Sequence, residues 1–136
     1  MSLSQNYNPA QQVDAAIAAG SATPSIAILT AVSAWLRLFS AVIVYVTQAA
    51  TTPTVTIKIV DANGNVIWQK TFTALVAATT SFLQLGNGMV DNIATPGNQQ
   101  VGIPVDTLIP PGGKLLVTAV AANAADTIAA TINYGN

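Results

Sequence analysis

Few side chains in this sequence could support acid–base, nucleophilic or metal chemistry. The 136 residues include no histidine, cysteine or glutamate, and the acidic residues are five aspartates. Catalysis near neutral pH usually depends on a tunable proton carrier or an activated nucleophile. Asp91 and Asp106 lie near irregular segments and could in principle form the carboxylate pair of a glycoside hydrolase. Because the aspartates are scattered singly, we expect no catalytic site and predict that the protein is not an enzyme.

A possible metal site is the segment Asp61–Asn65, where oxygen-bearing side chains alternate as they do at the start of a calcium loop. Its glycine comes at the fourth position rather than the sixth, and no acidic residue follows within Val66–Phe72. One carboxylate supplies little charge for tight Ca²⁺ binding. Asn63–Gly64 is instead a strong hairpin signal. We therefore predict a turn here, with no metal and no cofactor.

Charge is sparse and balanced in this chain. Four basic residues face five aspartates, the formal net charge is −1, and 7% of the residues are charged. Nucleic acids are bound by clustered basic side chains, whereas the basic residues here are scattered: Arg37, Lys58, Lys70 and Lys114. We expect no nucleic acid as a partner. Copies of such a chain repel one another weakly and desolvate little charge on contact, so self-association is expected.

Ala31–Ala50 is about the right length to span a bilayer. Arg37 argues against a membrane segment, and the β-branched run Val42–Val46 is typical of a buried strand. The amino terminus lacks the basic region and apolar core of a signal peptide. We therefore expect neither a membrane partner nor secretion by the general route.

From Ser25 onward, short apolar or alternating runs are separated by turn residues. Thr54–Val60 alternates apolar and polar side chains, as half-buried strands do. Val66–Phe72 is predicted to return as its hairpin partner. The other predicted strands are Ser25–Thr30, Trp35–Gln48 as one strand or two broken near Ser40, Ser81–Leu85, Gly88–Asn92, Val101–Val105, Lys114–Ala121 and Thr127–Tyr134. Thr95–Asn98 and Pro110–Gly113 are predicted loops, because proline fixes φ and glycine supplies positive φ.

Residues 1–24 differ in composition from the rest, being rich in Asn, Gln, Ala and Ser. Asn8 and Pro9 suit a helix N-cap and first turn, so a short helix over Pro9–Ala19, ended by Gly20, is predicted. The segment is either a frayed tail or an arm that becomes ordered on a neighbouring subunit or surface. We divide the chain into this arm, residues 1–24, and one domain, residues 25–136.

Eight or nine short strands with one weak helix predict an all-β fold, an antiparallel β-sandwich of jelly-roll type. Its sheet edges need cover, from the amino-terminal arm or another subunit. Four aromatic residues could stack on sugars, but they are predicted to lie in the core: Trp35, Tyr45, Trp68 and Tyr134. The small residues of 74–80 and 119–130 indicate either a flat subunit contact or a closely packed sheet face.

The combination of a compact β-rich chain, a polar arm and low charge resembles the virion structural proteins of tailed bacteriophages, especially small capsid decoration, or cement, proteins. The resemblance lies in the arm Met1–Pro24, the hairpin TVTIKIVDANGNVIWQKTF and the segment IPVDTLIPPGGKLLVTA at Ile103–Ala119. It implies a β-sandwich or β-tulip domain, frequently a homotrimer, that clamps adjacent capsomers of an expanded head. Binding only the mature lattice would stabilise it by mass action.

Under this resemblance the partners are the major capsid protein or other virion proteins, and the location is the capsid surface after synthesis in the host cytoplasm. The arm residues expected to contact capsid or subunit are Leu3, Tyr7, Pro9, Val13 and Ile17. The segments Trp35–Val46 and Ala119–Ile132 are expected in the core or a subunit interface. The individual residues expected there are Trp35, Leu38, Val44, Ile57, Trp68, Phe72, Val117 and Ile128. Two alternatives stay open: a self-assembling coat or tube subunit, and a carbohydrate- or receptor-binding module.

Overall fold

The computed structural model describes residues 11–48 and 50–135, with side chains described from Ala18 onward. The chain forms a β-sandwich, and no helix occurs in the described ranges. Its ten strands are β1 Gln11–Ala18, β2 Ser25–Thr30, β3 Leu36–Val46, β4 Thr54–Val60, β5 Val66–Thr71, β6 Thr80–Asn87, β7 Asn98–Ile103, β8 Leu108–Ile109, β9 Lys114–Val120 and β10 Thr127–Gly135. The predicted all-β sandwich is confirmed.

The strands are divided between two sheets. Sheet A has the order β1-β10-β3-β6-β7, with the short β8 also pairing with β3, and sheet B has the order β2-β9-β4-β5. Neighbouring strands are antiparallel except β6 and β7, which run parallel. The chain crosses repeatedly from one sheet to the other, so most connections span the edges of the sandwich.

The core lies between the sheets and is built from alternate residues of their inner faces. In sheet B, Val55, Ile57 and Ile59 of β4 are fully buried, as the alternating pattern predicted. In sheet A, Ile43 and Leu83 stand side by side in the β3–β6 register and are also fully buried. Burial of such side chains stabilises the fold by roughly 1.5 to 3 kcal/mol each.

The hairpin prediction is confirmed: β4 and β5 are antiparallel partners with Ile57 opposite Lys70. β2 also has the predicted bounds, Ser25–Thr30. β3 is one strand, and its pairing with β10 shifts register between Leu38 and Ser40. A bulge of this kind adds one residue to one strand, which explains why the sequence suggested a break near Ser40.

Two local predictions are wrong. Residues 11–18 of the predicted Pro9–Ala19 helix form strand β1, which pairs with β10 from Gln11 to Ala18. A short isolated helix is marginal in water, whereas the strand satisfies the open edge of β10. Residues 88–92 are not a strand, because the chain turns at Gly88 and only Asn92 forms a bridge, to Gln100. Of the two interpretations of the small residues in 74–80, the sheet face does not apply to residues 74–79, which lie in the β5–β6 connection, and the subunit contact stays a prediction.

Candidate protein-binding face

The outer side of sheet A presents side chains that alternate with its buried ones; we call this surface face A. Strand pairing aligns them in two rows across four strands. One row is Ala129, Val44, Phe82 and Asn98. The other row is Thr131, Val42, Gln84 and Gln100. Neither row contains a charged side chain, so a partner could cover both without desolvating a charge.

The apolar part of face A is open to solvent in the single chain. Phe82 is 45% exposed and Val42 is 39% exposed, while Val44 and Val46 are half-buried. These valines belong to an unbroken apolar run, Ala41–Val46, which forms the carboxyl-terminal half of β3. A strand that is apolar at every position is characteristic of a sheet covered on both faces. Here the second face of β3 has no covering layer within the described chain.

A loop covers one end of face A. A Cβ built on Gly86 would collide with the Met89 side chain, and one on Gly102 would collide with the Met89 backbone carbonyl. The loop is held beside β7 by the Gln100 Nε2 amide, which donates to Val90 O at 2.8 Å. The glycines allow residue 89 to lie directly on the sheet, so the exposed part of face A is confined to the rows around Val42 and Phe82.

The outer side of sheet B, face B, has different chemistry. A row of hydroxyl side chains crosses all four strands: Ser25, Thr118, Thr56 and Thr71. The Oγ1 atoms of Thr56 and Thr71 are 2.9 Å apart and share a hydrogen bond. Thr118 Oγ1 donates to Thr56 O at 3.1 Å. These hydroxyls bond to one another and to the backbone, which suits a face exposed to water.

Two shallow grooves lie on face B. One, of about 390 Å³, runs between Pro24 and Lys58, and the other, of about 330 Å³, runs between Asp61 and Lys114. Their walls are mainly threonine, serine, alanine and lysine, and neither contains an aromatic ring. Small-molecule sites are usually concave and lined by apolar and aromatic side chains, so these grooves do not resemble one.

A buried carboxylate accepts several hydrogen bonds at one end of sheet A, just before β10. Asp126 is fully buried and accepts hydrogen bonds from the Tyr45 hydroxyl at 3.0 Å, from Gln48 N at 2.7 Å and from Asn123 N at 3.0 Å. Its own carbonyl accepts from Ala19 N at 2.7 Å. Burial, and then the bond to Asp126, raise the pKa of Tyr45. The phenol therefore stays protonated and serves as a structural donor.

Gln99 lies on β7, the edge strand at the other side of sheet A. It is fully buried on β7; its Nε2 donates to Thr73 O at 2.9 Å and to Pro96 O at 3.0 Å. Its Oε1 accepts from Thr73 N at 2.7 Å. The side-chain amide thus pairs with the backbone of residue 73 as a strand would, and it fixes the chain where it leaves sheet B.

Asp91 and Asp106, considered above as a carboxylate pair, form ion pairs with different basic side chains. Asp91 Oδ2 lies 2.6 Å from Lys70 Nζ, and Asp91 Oδ1 accepts from Gly102 N at 2.8 Å. Asp106 pairs instead with Arg37 at 3.6 Å. Lys70 and the bond from Gly102 lower the pKa of Asp91. The Asp91 contact joins β5 of sheet B to β7 of sheet A, so its evident role is to hold the two sheets together.

Asp61 is a turn residue. Its Oδ1 accepts from Asn63 N and Asn65 N, each at 2.9 Å, and its Oδ2 accepts from Asn65 Nδ2 at 3.1 Å. These bonds, led by the one from the Asn65 backbone, lower the pKa of Asp61. The described residues contain no group of three or more metal-binding side chains from His, Cys, Asp and Glu.

The sequence-predicted site residues are dispersed. Leu3, Tyr7 and Pro9 lie outside the described residues, and Val13 and Ile17 lie on β1 with side chains outside the description. Five residues are buried between the sheets: Leu38, Ile57, Phe72, Val117 and Ile128.

The remaining three predicted site residues are not fully buried. Trp68 is half-buried against the core, and Val44 lies on face A. Trp35 was expected in the core or a subunit interface; it precedes β3 and is 56% exposed, so its placement in the core is wrong. Tyr45 is fully buried, and Tyr134 packs partly buried against the core. Whether any of these residues meets another subunit stays a prediction.

Sequence reasoning missed Asp126, Gln99 and Phe82. A signal for Asp126 was available, because a buried tyrosine hydroxyl such as that of Tyr45 needs a hydrogen-bonding partner. Gln99 and Phe82 gave no comparable signal, since their positions depend on which strands become neighbours. In the described part of the chain, no helix is long and apolar enough to span a membrane.

No protein-family model and no curated protein matches this sequence. Among solved structures, a chain in the structure of the infectious bursal disease virus Gx strain is similar, with a TM-score of 0.34 and 10% sequence identity. The similarity covers 96% of this chain and 30% of that chain, so this chain spans less than a third of the viral chain's length. A similarity at this TM-score carries no argument about function.

Proposed function

We propose that the protein is a non-enzymatic virion structural protein, a capsid decoration or cement protein that binds a phage head, and that face A is its protein-binding surface. The observation that carries the binding role is the unbroken apolar run Ala41–Val46, whose alternate side chains are buried inside and exposed on face A. The assignment to a phage head rests on the resemblance in composition and pattern described above.

The chemistry of face A suits contact with protein. Its central rows hold valine, alanine, phenylalanine, threonine and side-chain amides, and no charge must be desolvated when a partner covers them. Phe82, exposed on β6 beside Val44, is the kind of aromatic side chain that contributes strongly at protein interfaces. Repeated around a trimer on a lattice, such contacts would stabilise the shell through avidity and mass action.

The position of β1 changes which deletion tests the hypothesis that the amino-terminal arm contacts the capsid. Because β1 is an integral strand of sheet A, removing residues 1–24 would expose the edge of β10 as well as remove the arm. The deletion that tests capsid contact is therefore residues 1–10. We expect the shortened protein to fold with an unchanged unfolding midpoint and to lose binding to the shell.

The first experiment is light scattering on the full-length protein across a range of concentrations. A discrete homo-oligomer, with a trimer expected, supports decoration. Very large spontaneous assemblies support the self-assembling coat or tube subunit instead. A monomer at every concentration contradicts self-association and confines the role of face A to a partner protein.

The matched variants are Phe82→Lys on face A and Thr71→Lys on face B. Both put a lysine at an exposed strand position, Phe82 on β6 and Thr71 on β5. We expect Phe82→Lys to weaken self-association and co-sedimentation with bare, expanded heads by at least about tenfold, because a charge would be buried at the contact. Thr71→Lys should change neither. Equal behaviour of the two variants would remove face A from the proposal.

A second candidate function, glycan binding, is favoured by Trp35, whose side chain is more than half exposed beside the start of β3. Exposed aromatic rings can stack on sugars, as the sequence-level alternative of a carbohydrate-binding module requires. The test is titration of tryptophan fluorescence with host-surface glycans, comparing the wild type with Trp35→Ala. A saturable change that disappears in the variant would favour this function over decoration.

A further inference from the structure

The turn between β4 and β5 contains an Asn–Gly pair in an open position. Asn63 and Gly64 are both exposed. Gly64 has a φ of +83°, and a Cβ placed on it would meet nothing within 4 Å. The Gly64 backbone N donates to Asp61 O at 3.0 Å across the turn. Glycine thus offers the backbone nitrogen after Asn63 without a side chain to shield it, and water has access from outside.

We propose that Asn63 is a site of spontaneous covalent modification, converting to aspartate and isoaspartate through a cyclic imide. The Gly64 backbone nitrogen forms a bond to Asn63 Cγ and loses its proton, and the Cγ–Nδ2 bond breaks with release of ammonia. Water then adds to one of the two imide carbonyls. Cleavage of the Cγ–N bond gives aspartate, and cleavage of the backbone C–N bond gives isoaspartate. No oxidant or reductant takes part.

A second Asn–Gly pair, Asn87–Gly88, serves as an internal comparison. Asn87 is half-buried at the end of β6, and it pairs with Ile103 of β7. Gly88 N donates to Ile103 O at 3.1 Å, so its attack on Asn87 would require the end of the β6–β7 ladder to open. Gly64 N has only to leave a hydrogen bond inside an exposed turn. The fold therefore favours modification of Asn63, although both sites have the same Asn–Gly dipeptide.

The modification would alter a chain with very little charge. One amide becomes one carboxylate, so the formal net charge changes from −1 to −2. The new carboxylate lies two residues from Asp61, whose Oδ1 accepts from Asn63 N at 2.9 Å. Isoaspartate also lengthens the turn backbone by one methylene, which changes the geometry that sets the hairpin register. The groove bounded by Asp61, Gly64 and Lys114 would gain negative charge.

The experiment is incubation of the folded, full-length protein in mildly alkaline buffer at 37 °C, followed by protease digestion and mass spectrometry at intervals. Isoaspartate is confirmed with protein isoaspartyl methyltransferase labelling. We expect the Asn63 peptide to gain the mass of an amide-to-acid conversion at least about tenfold faster than the Asn87 peptide. The same incubation in urea should bring the two rates close together, because the unfolded chain no longer distinguishes the two pairs.

Two variants make the result specific. Asn63→Ser should abolish the mass change and the methyltransferase labelling at the turn, and Gly64→Ala should slow both, since a methyl group hinders the attacking nitrogen. Should Gly64→Ala fail to fold, the Asn63-to-Asn87 rate ratio in the wild type decides alone. An unmodified Asn63 in the folded protein, or equal rates at Asn63 and Asn87, would overturn the proposal. Neither outcome bears on face A, so this proposal and the proposed function stand or fall separately.

Discussion

The two sheets place their polar groups differently. Both have an apolar interior, but among the described side chains the four buried polar residues all lie on the strands of sheet A or at their ends, and they are Thr47, Ser81, Gln99 and Asp126. On the outer side of sheet A, the apolar side chains of Val42 and Phe82 are exposed. The buried side chains of sheet B are all apolar, and its hydroxyl row lies outside. Sheet B thus has an apolar inner face and a polar outer face, as expected of a sheet with one face in water. Sheet A has apolar side chains on both faces, which is typical of a sheet covered on both sides.

Three of the four inner polar groups of sheet A have a common structural role. Thr47 Oγ1 bonds to Val76 O and Thr79 N, Gln99 bonds to residue 73, and Asp126 bonds to Gln48 N. Each of these contacts fixes a segment that runs between the sheets. These polar groups therefore anchor the crossings to the inner side of sheet A, whereas the proposed function assigns partner contact to its outer face.

The largest effect is expected from Asp126→Ala, which removes the acceptor for three donors around the buried end of sheet A. Because Tyr45 Oη, Gln48 N and Asn123 N would be left unpaired, we expect a loss of about 3 to 5 kcal/mol in the free energy of unfolding. Urea unfolding followed by tryptophan fluorescence measures it.

The matched control for that experiment is Asp61→Ala in the β4–β5 turn of sheet B. This carboxylate also accepts several hydrogen bonds, but its donors lie in an exposed turn where water can replace it. We expect a clearly smaller loss. Equal losses would mean that the buried position of Asp126 gives sheet A no special dependence on polar anchors.

A smaller effect is expected from Gln99→Leu. Leucine fills a similar volume but leaves Thr73 N and Thr73 O without their partner, so we expect a loss of about 2 kcal/mol in the free energy of unfolding. Its neighbour Gln100 points to face A and donates to Val90 O in an exposed bond, and Gln100→Leu should change stability by no more than about 0.5 kcal/mol. The urea midpoints of the two variants compare the inside and outside of one strand directly.

A reciprocal exchange of similarly shaped side chains tests the outer faces. Val44→Thr adds a hydroxyl to face A, and Thr56→Val removes one from the hydroxyl row of face B. Each should alter the free energy of unfolding by less than about 1 kcal/mol. Light scattering should show weaker association for Val44→Thr alone. Weaker association for Thr56→Val instead would assign the contact to face B.

Sequence patterns predicted sheet B better than sheet A. The strict alternation of Thr54–Val60 and the Asn63–Gly64 turn fix a hairpin whose parts are close in sequence, so local rules suffice. β1 depends on its pairing with β10, more than a hundred residues away, and its local composition favoured a helix. Tertiary pairing overrode that propensity.

The candidate face was only partly predictable for the same reason. The apolar run Ala41–Val46 indicated a buried strand, but the row that joins Val44 to Phe82 and Ala129 requires the strand order of sheet A. The loop over Gly86 and Gly102 was predicted as a strand because glycine's role here, close approach by Met89, leaves no pattern in the sequence. Trp35 was assigned to the core from its apolar neighbours, although it lies before the strand begins.

The smallest expected effect is the loss of folding stability at acidic pH. Asp91 and Asp61 both have pKa values lowered below the ordinary 3.8, Asp91 first by Lys70 and Asp61 first by the Asn65 backbone. A carboxylate whose pKa is lower in the folded than in the unfolded chain stabilises the fold above the unfolded value and loses that contribution as pH falls through the folded value. Stability should therefore decline as the pH falls below about 3.8. Both groups are exposed, so the decline should be shallow.

Asp91→Asn separates the sheet-joining contact from the turn. The amide oxygen can still accept from Gly102 N, but the ion pair with Lys70 is lost, so this variant should be slightly less stable at neutral pH and show a flatter acid decline. Asp61→Asn should flatten it through the turn alone. Urea midpoints measured across this pH range check both. If Asp91→Asn left the acid profile unchanged, the bond between Asp91 and Lys70 would contribute nothing to holding sheet B against sheet A, and the apolar core and the anchors of sheet A would have to do so alone.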